Sequence, residues 1–263
     1  MSDYKNLFDL TGKVAIVTGG AGILGRGFCE GLAAHGAKVA MVDLKAEASD
    51  NKDIKGFACN VADPASVASM VDAVVNEFGS INILHNNAAT KSDNLDAFFA
   101  PFEKYDLNEW RKIMAVNLDG MMLVAQSVGA QMVKQGNGGS IIQTSSIYGV
   151  AAPDQRIYEG SEYMGRPINT PAVYSVSKAG VIGLTQYLAT YWAGQGIRVN
   201  TLTPGGVESG QNEAFQAKYS ARVPLGRMAE KMDMVGALVY LASDASAYVT
   251  GQNLIVDGGL TVW

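Results

Sequence analysis

Short apolar runs alternate with longer amphipathic stretches from one end of the chain to the other. The runs at 13–18, 37–43, 54–60, 81–86, 140–145, 197–203 and 253–257 predict strands. Several are apolar at consecutive positions, the pattern of a strand covered on both faces. Amphipathic segments at 22–35, 64–78, 108–134, 172–194 and 230–243 predict helices. Asp63-Pro64 places an N-cap before a first-turn proline, and Asp106 with Glu109 forms a capping-box-like pair. Strand–helix alternation with short connections predicts an α/β fold: a doubly wound parallel sheet of about seven strands with helices on both faces. No linker or repeat divides residues 1–263, so one domain is expected.

Two connections, 88–106 and 147–171, are longer than such a fold needs. Both leave the carboxyl ends of strands, where open α/β sheets bind ligands. The stretch 156–171, "RIYEGSEYMGRPINTP", keeps neither helical nor strand periodicity.

Composition narrows the function classes. With a net charge of −5 and no basic cluster, a nucleic-acid partner is not expected. The first residues have no basic segment followed by an apolar one, and no apolar run reaches about eighteen residues. A cytoplasmic protein without a membrane partner is expected. Cys29 and Cys59 lie in apolar surroundings without metal-ligand spacing, so buried free thiols are expected and no metal.

"VAIVTGGAGILGRG" joins the first strand to the first helix, and Gly20, Gly22 and Gly25 satisfy G-x-G-x-x-G. In that context glycines let the backbone approach a pyrophosphate lying against the helix N-terminus, the Rossmann-like arrangement. Asp43 ends the second strand. A carboxylate there accepts hydrogen bonds from ribose hydroxyls and repels a 2′-phosphate, which predicts NAD over NADP. Lys45 nearby softens that preference.

Tyr174 and Lys178 stand four residues apart on a predicted helix and so share a face. A tyrosine with a pKa near 10 is a poor base, and a neighbouring ammonium favours its phenolate. Ser146 ends the fifth strand with a neutral hydroxyl, and Asn117 puts an amide inside a predicted helix.

Taken with "TGGAGILG" (18–25), "NNAA" (86–89), "VNLDG" around Asn117, "TSSIYG" around Ser146, "YSVSK" (174–178), "PGGVES" (204–209) and "DGG" (257–259), the chain resembles the short-chain dehydrogenase/reductases over nearly its whole length. The resemblance implies a catalytic set. Tyr174 is the general base or acid, and Lys178 lowers its pKa and holds the nicotinamide ribose. Ser146 orients the substrate oxygen, and Asn117 positions a water. It also implies cofactor contacts from Gly19, Gly22, Ile23, Leu24 and Gly25, from Asp43 and Leu44, and from Asn60 and Val61 at the adenine. Asn87 and Ala88 line the cofactor, and Pro204, Gly205, Val207 and Ser209 meet its carboxamide and phosphate end. Departures from the family pattern are Ile23 for a glycine, Asn60 for an aspartate and Ala89 for the last glycine of "NNAG". The interval from Ser146 to Tyr174 is also about twice the common one.

The loops after Asn87, Ser146 and Pro204 are expected to build the substrate pocket. Tyr148, Arg156, Tyr158, Arg166 and Glu208 are candidate contacts beside Ser146. Their polarity favours a sugar, sugar acid or polyol over an apolar substrate. Arg156 or Arg166 would hold an anionic group, unless they pair with Glu159 and Glu162. The segment 156–171 reads as a lid over the substrate or as an oligomer contact. His85 reads as a core histidine bonded to backbone. The resemblance further implies a homodimer built on the 108–134 and 172–194 helices, or a homotetramer that the "DGG" end (257–259) helps to form. Two rival functions remain: reduction of a 3-oxoacyl thioester, and a catalytically silent dinucleotide-binding sensor.

Overall fold

A computed structural model describes residues 4–163 and 165–263. Met1–Asp3, part of the segment read for a leader, and Met164 in the inserted stretch lie outside them. The strands β1 (Val14–Thr18), β2 (Lys38–Asp43), β3 (Ile54–Ala58), β4 (Ile83–Asn86) and β5 (Gly139–Thr144) fall where the apolar runs predict them. So do β8 (Ile197–Pro204) and β9 (Asn253–Val256). These seven pair in parallel in the order β3-β2-β1-β4-β5-β8-β9. The order reverses between β1 and β4, and the crevice at their carboxyl ends is the expected ligand position.

Alternation within each strand divides the core. Val14 and Ile16 face one layer with α2 (Pro64–Phe78) and the α5 portion (Gly120–Gln135) of a long helix. Ala15 and Val17 face the other, with α1 (Ile23–Ala34) and α8 (Lys231–Ala242). Asp63 accepts from the Ala65 amide ahead of Pro64 and starts α2 as predicted. At α4 (Leu107–Met114) only half of the predicted capping box forms. Asp106 accepts from the Asn108 and Glu109 amides, while Glu109 turns its carboxylate inward, where Oε1 has no partner.

The helix predicted over 108–134 is interrupted. Between α4 and α5, Ala115–Asp119 form a π-turn, and it contains Asn117. Hydrophobic periodicity does not register one extra residue in a helix. The Asn117 amide also ties down the loop after β4, accepting from the Thr90 amide at 2.8 Å and donating to its carbonyl at 3.4 Å. By length and mean composition alone the helix Leu107–Gln135 could cross a membrane, a test that the core helix of a folded domain also passes. Its Met121, Val124, Val128 and Met132 are instead fully buried against the sheet and neighbouring helices.

The inserted segment is more ordered than its composition predicts. After a 3-10 turn at Gln155–Tyr158, β6 (Glu162–Tyr163) and β7 (Arg166–Pro167) pair antiparallel. The α6 helix (Ala172–Tyr191) follows, ending three residues before the predicted limit. Two helices are absent from the sequence reading: the short α3 (Leu95–Phe98) and α7 (Glu213–Ser220).

Candidate active site

The Gly-rich turn is shaped by close approach. Gly19 has φ +63°, and a Cβ there would lie 3.0 Å from the Ala88 Cα. A Cβ on Gly25 would lie 2.0 Å from the Gly19 carbonyl oxygen, so helix α1 can seat on the turn only without one. Gly22 caps α1 without any side-chain hydrogen bond, which leaves first-turn N–H groups for an anion. Asp43 closes the far side: one carboxylate oxygen accepts from the Ala21 amide at 3.0 Å, the other from Leu44 at 2.8 Å. A glycine cradle beside a strand-end carboxylate fits the pyrophosphate and ribose of a dinucleotide.

A cleft of about 760 Å³ runs from this turn across the carboxyl edge of the sheet. Every residue that the family pattern assigns to the cofactor lines it, from Gly19 and Asp43 through Asn60 and Asn87 to Val207 and Ser209. Ser146, Tyr148, Tyr174 and Lys178 line its middle. Asn117 does not. It is fully buried behind the wall, with its side chain committed to Thr90.

β5 and α6 position Ser146, Tyr174 and Lys178. Ser146 follows β5 and caps a 3-10 turn, its Oγ accepting from the Tyr148 amide at 3.2 Å. The first turns of α6 carry Tyr174 and Lys178, with the Lys178 Nζ 5.9 Å from the Tyr174 ring centroid. That ammonium is buried and donates to the Thr144 carbonyl at 2.9 Å. Burial lowers its pKa to about 8. Burial also pushes the Tyr174 phenol above its ordinary value, with a hydrogen bond from Ser146 acting the other way. In the protein alone desolvation outweighs the depression expected from Lys178, whose cation sits over the ring. His85 donates to or accepts from a side chain rather than the backbone, its Nε2 lying 2.8 Å from Thr144 Oγ1. Burial, aided by the charge on Lys178, holds it near 3 and hence neutral.

The charged substrate candidates stand apart from the cleft. Arg156 is 84% exposed and paired with Asp154 at 2.8 Å. Arg166 is paired with Asp96 at 2.6 Å. Neither pairs with the expected Glu159 or Glu162, and neither they nor Glu208 line the cavity. Tyr158 lies just behind the wall, bonded to Tyr148. The loops expected after Asn87 and Pro204 do supply Phe98, Phe99 and Gln211, and the substrate end further gains Asn169, Thr170, Phe215, Tyr219 and Met228. It is less polar than the loop sequences predict. The sequence does hold a signal for α7: Asn212 caps it by accepting from the Phe215 amide, and Phe215 and Tyr219 share a face at i, i+4.

α7 and the inserted segment form one unit. Tyr158 stacks on Phe215 at 5.6 Å, and Phe215 on Tyr219 at 5.8 Å. Lys218 donates to the carbonyls of Arg156 and Glu159. The Tyr219 hydroxyl accepts from the Gly206 amide at 2.5 Å and ties this unit to the loop after β8.

The comparisons with known proteins agree with this architecture. A family model described as enoyl-(acyl carrier protein) reductase matches residues 19–261. The chain is 38% identical to D-threitol dehydrogenase from Mycolicibacterium smegmatis, over 97% of its own length and 95% of the relative's. It is 35% identical to the 3-oxoacyl-[acyl-carrier-protein] reductase FabG of Thermotoga maritima, with 96% and 99% covered. Among solved structures it is similar to a short chain dehydrogenase from Leptospira borgpetersenii with bound NAD+ (33% identity, TM-score 0.87, 99% and 96% covered). It is also similar to a gluconate 5-dehydrogenase from Burkholderia cenocepacia in complex with NADP and tartrate (31%, TM-score 0.82, 98% of each chain). The chain belongs to the short-chain dehydrogenase/reductase family. Within it, this is an oxidoreductase whose relatives include polyol and sugar dehydrogenases.

Proposed function

We propose that the protein is an NAD-dependent dehydrogenase that interconverts a secondary alcohol and a ketone on a neutral polyol or sugar. The observation that carries this is the position of Ser146, Tyr174 and Lys178 midway along a cleft whose other end holds the glycine turn and Asp43. In oxidation Tyr174 acts as the phenolate, having first released its own proton to solvent, and takes the hydroxyl proton while Ser146 holds the same oxygen by a hydrogen bond. Lys178, buried beside the ring, is the cation toward which negative charge on the phenol is drawn. Nicotinamide bound here would accept the hydride at C4. Asp43, held by the Ala21 amide of the glycine turn and by the Leu44 amide, keeps a carboxylate at the ribose position, which supports ribose over a 2′-phosphate. The pairing of Arg156 and Arg166 with aspartates favours a neutral substrate over a sugar acid.

A second reading, reduction of a 3-oxoacyl thioester, draws on the FabG relative and on the apolar side chains Phe98, Phe99, Ile168 and Met228 along the cleft. Steady-state assays on sugars and polyols with NAD and NADP, following reduced-cofactor absorbance, separate these readings. NAD-linked oxidation that Tyr174→Phe reduces by about 10²- to 10⁴-fold supports the proposal. Cofactor binding with no turnover on any alcohol or thioester supports the silent sensor instead.

A further inference from the structure

Tyr148 enters the cleft two residues after Ser146 and is fixed to it through its own amide. Its phenolic oxygen accepts a hydrogen bond from the Tyr158 hydroxyl at 3.2 Å. The Tyr158 hydroxyl is also bonded to Thr170 Oγ1. A phenol carries one proton. Tyr158 gives its proton to Tyr148, so Thr170 must be the donor to Tyr158. The direction of the chain is thereby set: Thr170 to Tyr158 to Tyr148. Among the described residues no protein oxygen accepts the Tyr148 proton, which is left for whatever occupies the cleft.

The chain has a rigid mount. Tyr158 is held by its stack on Phe215, and Ile157 beside it is buried against the same cluster. Burial raises the pKa of both phenols, so both stay protonated in any ordinary buffer. Tyr148 lines the cleft and its backbone is held to Ser146, so its neutral, oriented hydroxyl selects an oxygen acceptor on the bound molecule.

We propose that Tyr148 is a specificity-determining residue whose hydroxyl binds an oxygen on the carbon adjacent to the reacting one. The enzyme then selects vicinal diols and α-hydroxy ketones over simple alcohols and ketones. Tyr158 and Thr170 are positioning residues that act through it. This rests on the dehydrogenase reading above and narrows its substrate class.

The test compares 2,3-butanediol with 2-butanol, two alcohols that differ by one vicinal hydroxyl. Wild-type enzyme with NAD should favour the diol. Tyr148→Phe should lower kcat/KM for the diol by about 10- to 100-fold, the effect of an unmatched buried polar group. It should lower kcat/KM for 2-butanol by a clearly smaller factor, so that the diol-to-alcohol ratio falls by about 10-fold or more. Thr170→Val and Tyr158→Phe should each lower the diol-to-alcohol ratio by a smaller factor, about 2- to 10-fold, a selectivity change that a purely structural role does not produce. An unchanged ratio in Tyr148→Phe, with both alcohols still oxidised, overturns this inference and leaves the dehydrogenase reading standing. Wild-type enzyme inert towards both, and towards longer polyols, overturns that reading and this inference with it.

Discussion

Lys178 is where function and stability oppose each other at the scale of one residue. It is buried with a single hydrogen bond, to Thr144, and burial holds its pKa near 8, below the unfolded value of about 10.4. Between those two values the unfolded chain binds more protons than the folded one, so this group's contribution to stability rises as pH increases through the window. Below it the folded protein carries a desolvated charge. Lys178→Met should therefore raise the melting temperature at pH 7, with less gain at pH 10, while turnover falls by at least about 100-fold. Thermal melts at both pH values check the sign. The Tyr174 phenol behaves differently: absorbance titration of the protein without cofactor should find it ionising above 10, and the difference from Tyr174→Phe isolates its signal. Tyr174 and Lys178 were legible as a pair because helical spacing puts them on one face. Their electrostatics were not, because desolvation depends on what the rest of the chain packs over them. Arg156 and Arg166 were misleading for a related reason. Their partners, Asp154 and Asp96, differ from the nearby glutamates, and Asp96 is seventy positions from Arg166.

The strands and the start of α2 could be read directly, because apolar runs and an Asp-Pro cap are local signals. The π-turn at Ala115–Asp119 and the joining of α7 to the inserted segment could not, because each depends on contacts distant in sequence. That joining changes what the insertion is. Ile157 is 3% exposed and belongs to a cluster with Phe215, Tyr219, Val223 and Met228. Excising 156–171 should therefore destabilise the wall of the cleft as well as alter selectivity. Ile157→Ala should cost about 2–5 kcal/mol in denaturant unfolding. In hydrogen exchange, amides of Gln155–Tyr158 and of α7 should lose protection together. Independent opening of the two segments would contradict the unit and revive a freely hinged lid.

At the scale of the whole molecule, the face of α6 away from the cleft carries exposed apolar side chains. Val176, Tyr187 and Tyr191 form one helical stripe at 47%, 63% and 62% exposure, with Gly183 bare between them and the two tyrosines stacked at 5.8 Å. This supports a homo-oligomer that buries the stripe, and Tyr191→Glu should reduce the particle mass seen by sedimentation. The activity proposed for the cleft is NAD-linked oxidation of a neutral polyol. Its most direct test sets kcat/KM for threitol with NAD against kcat/KM for an acetoacetyl thioester with NADPH, in the same preparation. Measurable threitol oxidation, preference for NAD over NADP, and at most trace thioester reduction are expected. Efficient thioester reduction with NADPH, alongside silence on threitol and longer polyols, would contradict the proposed activity.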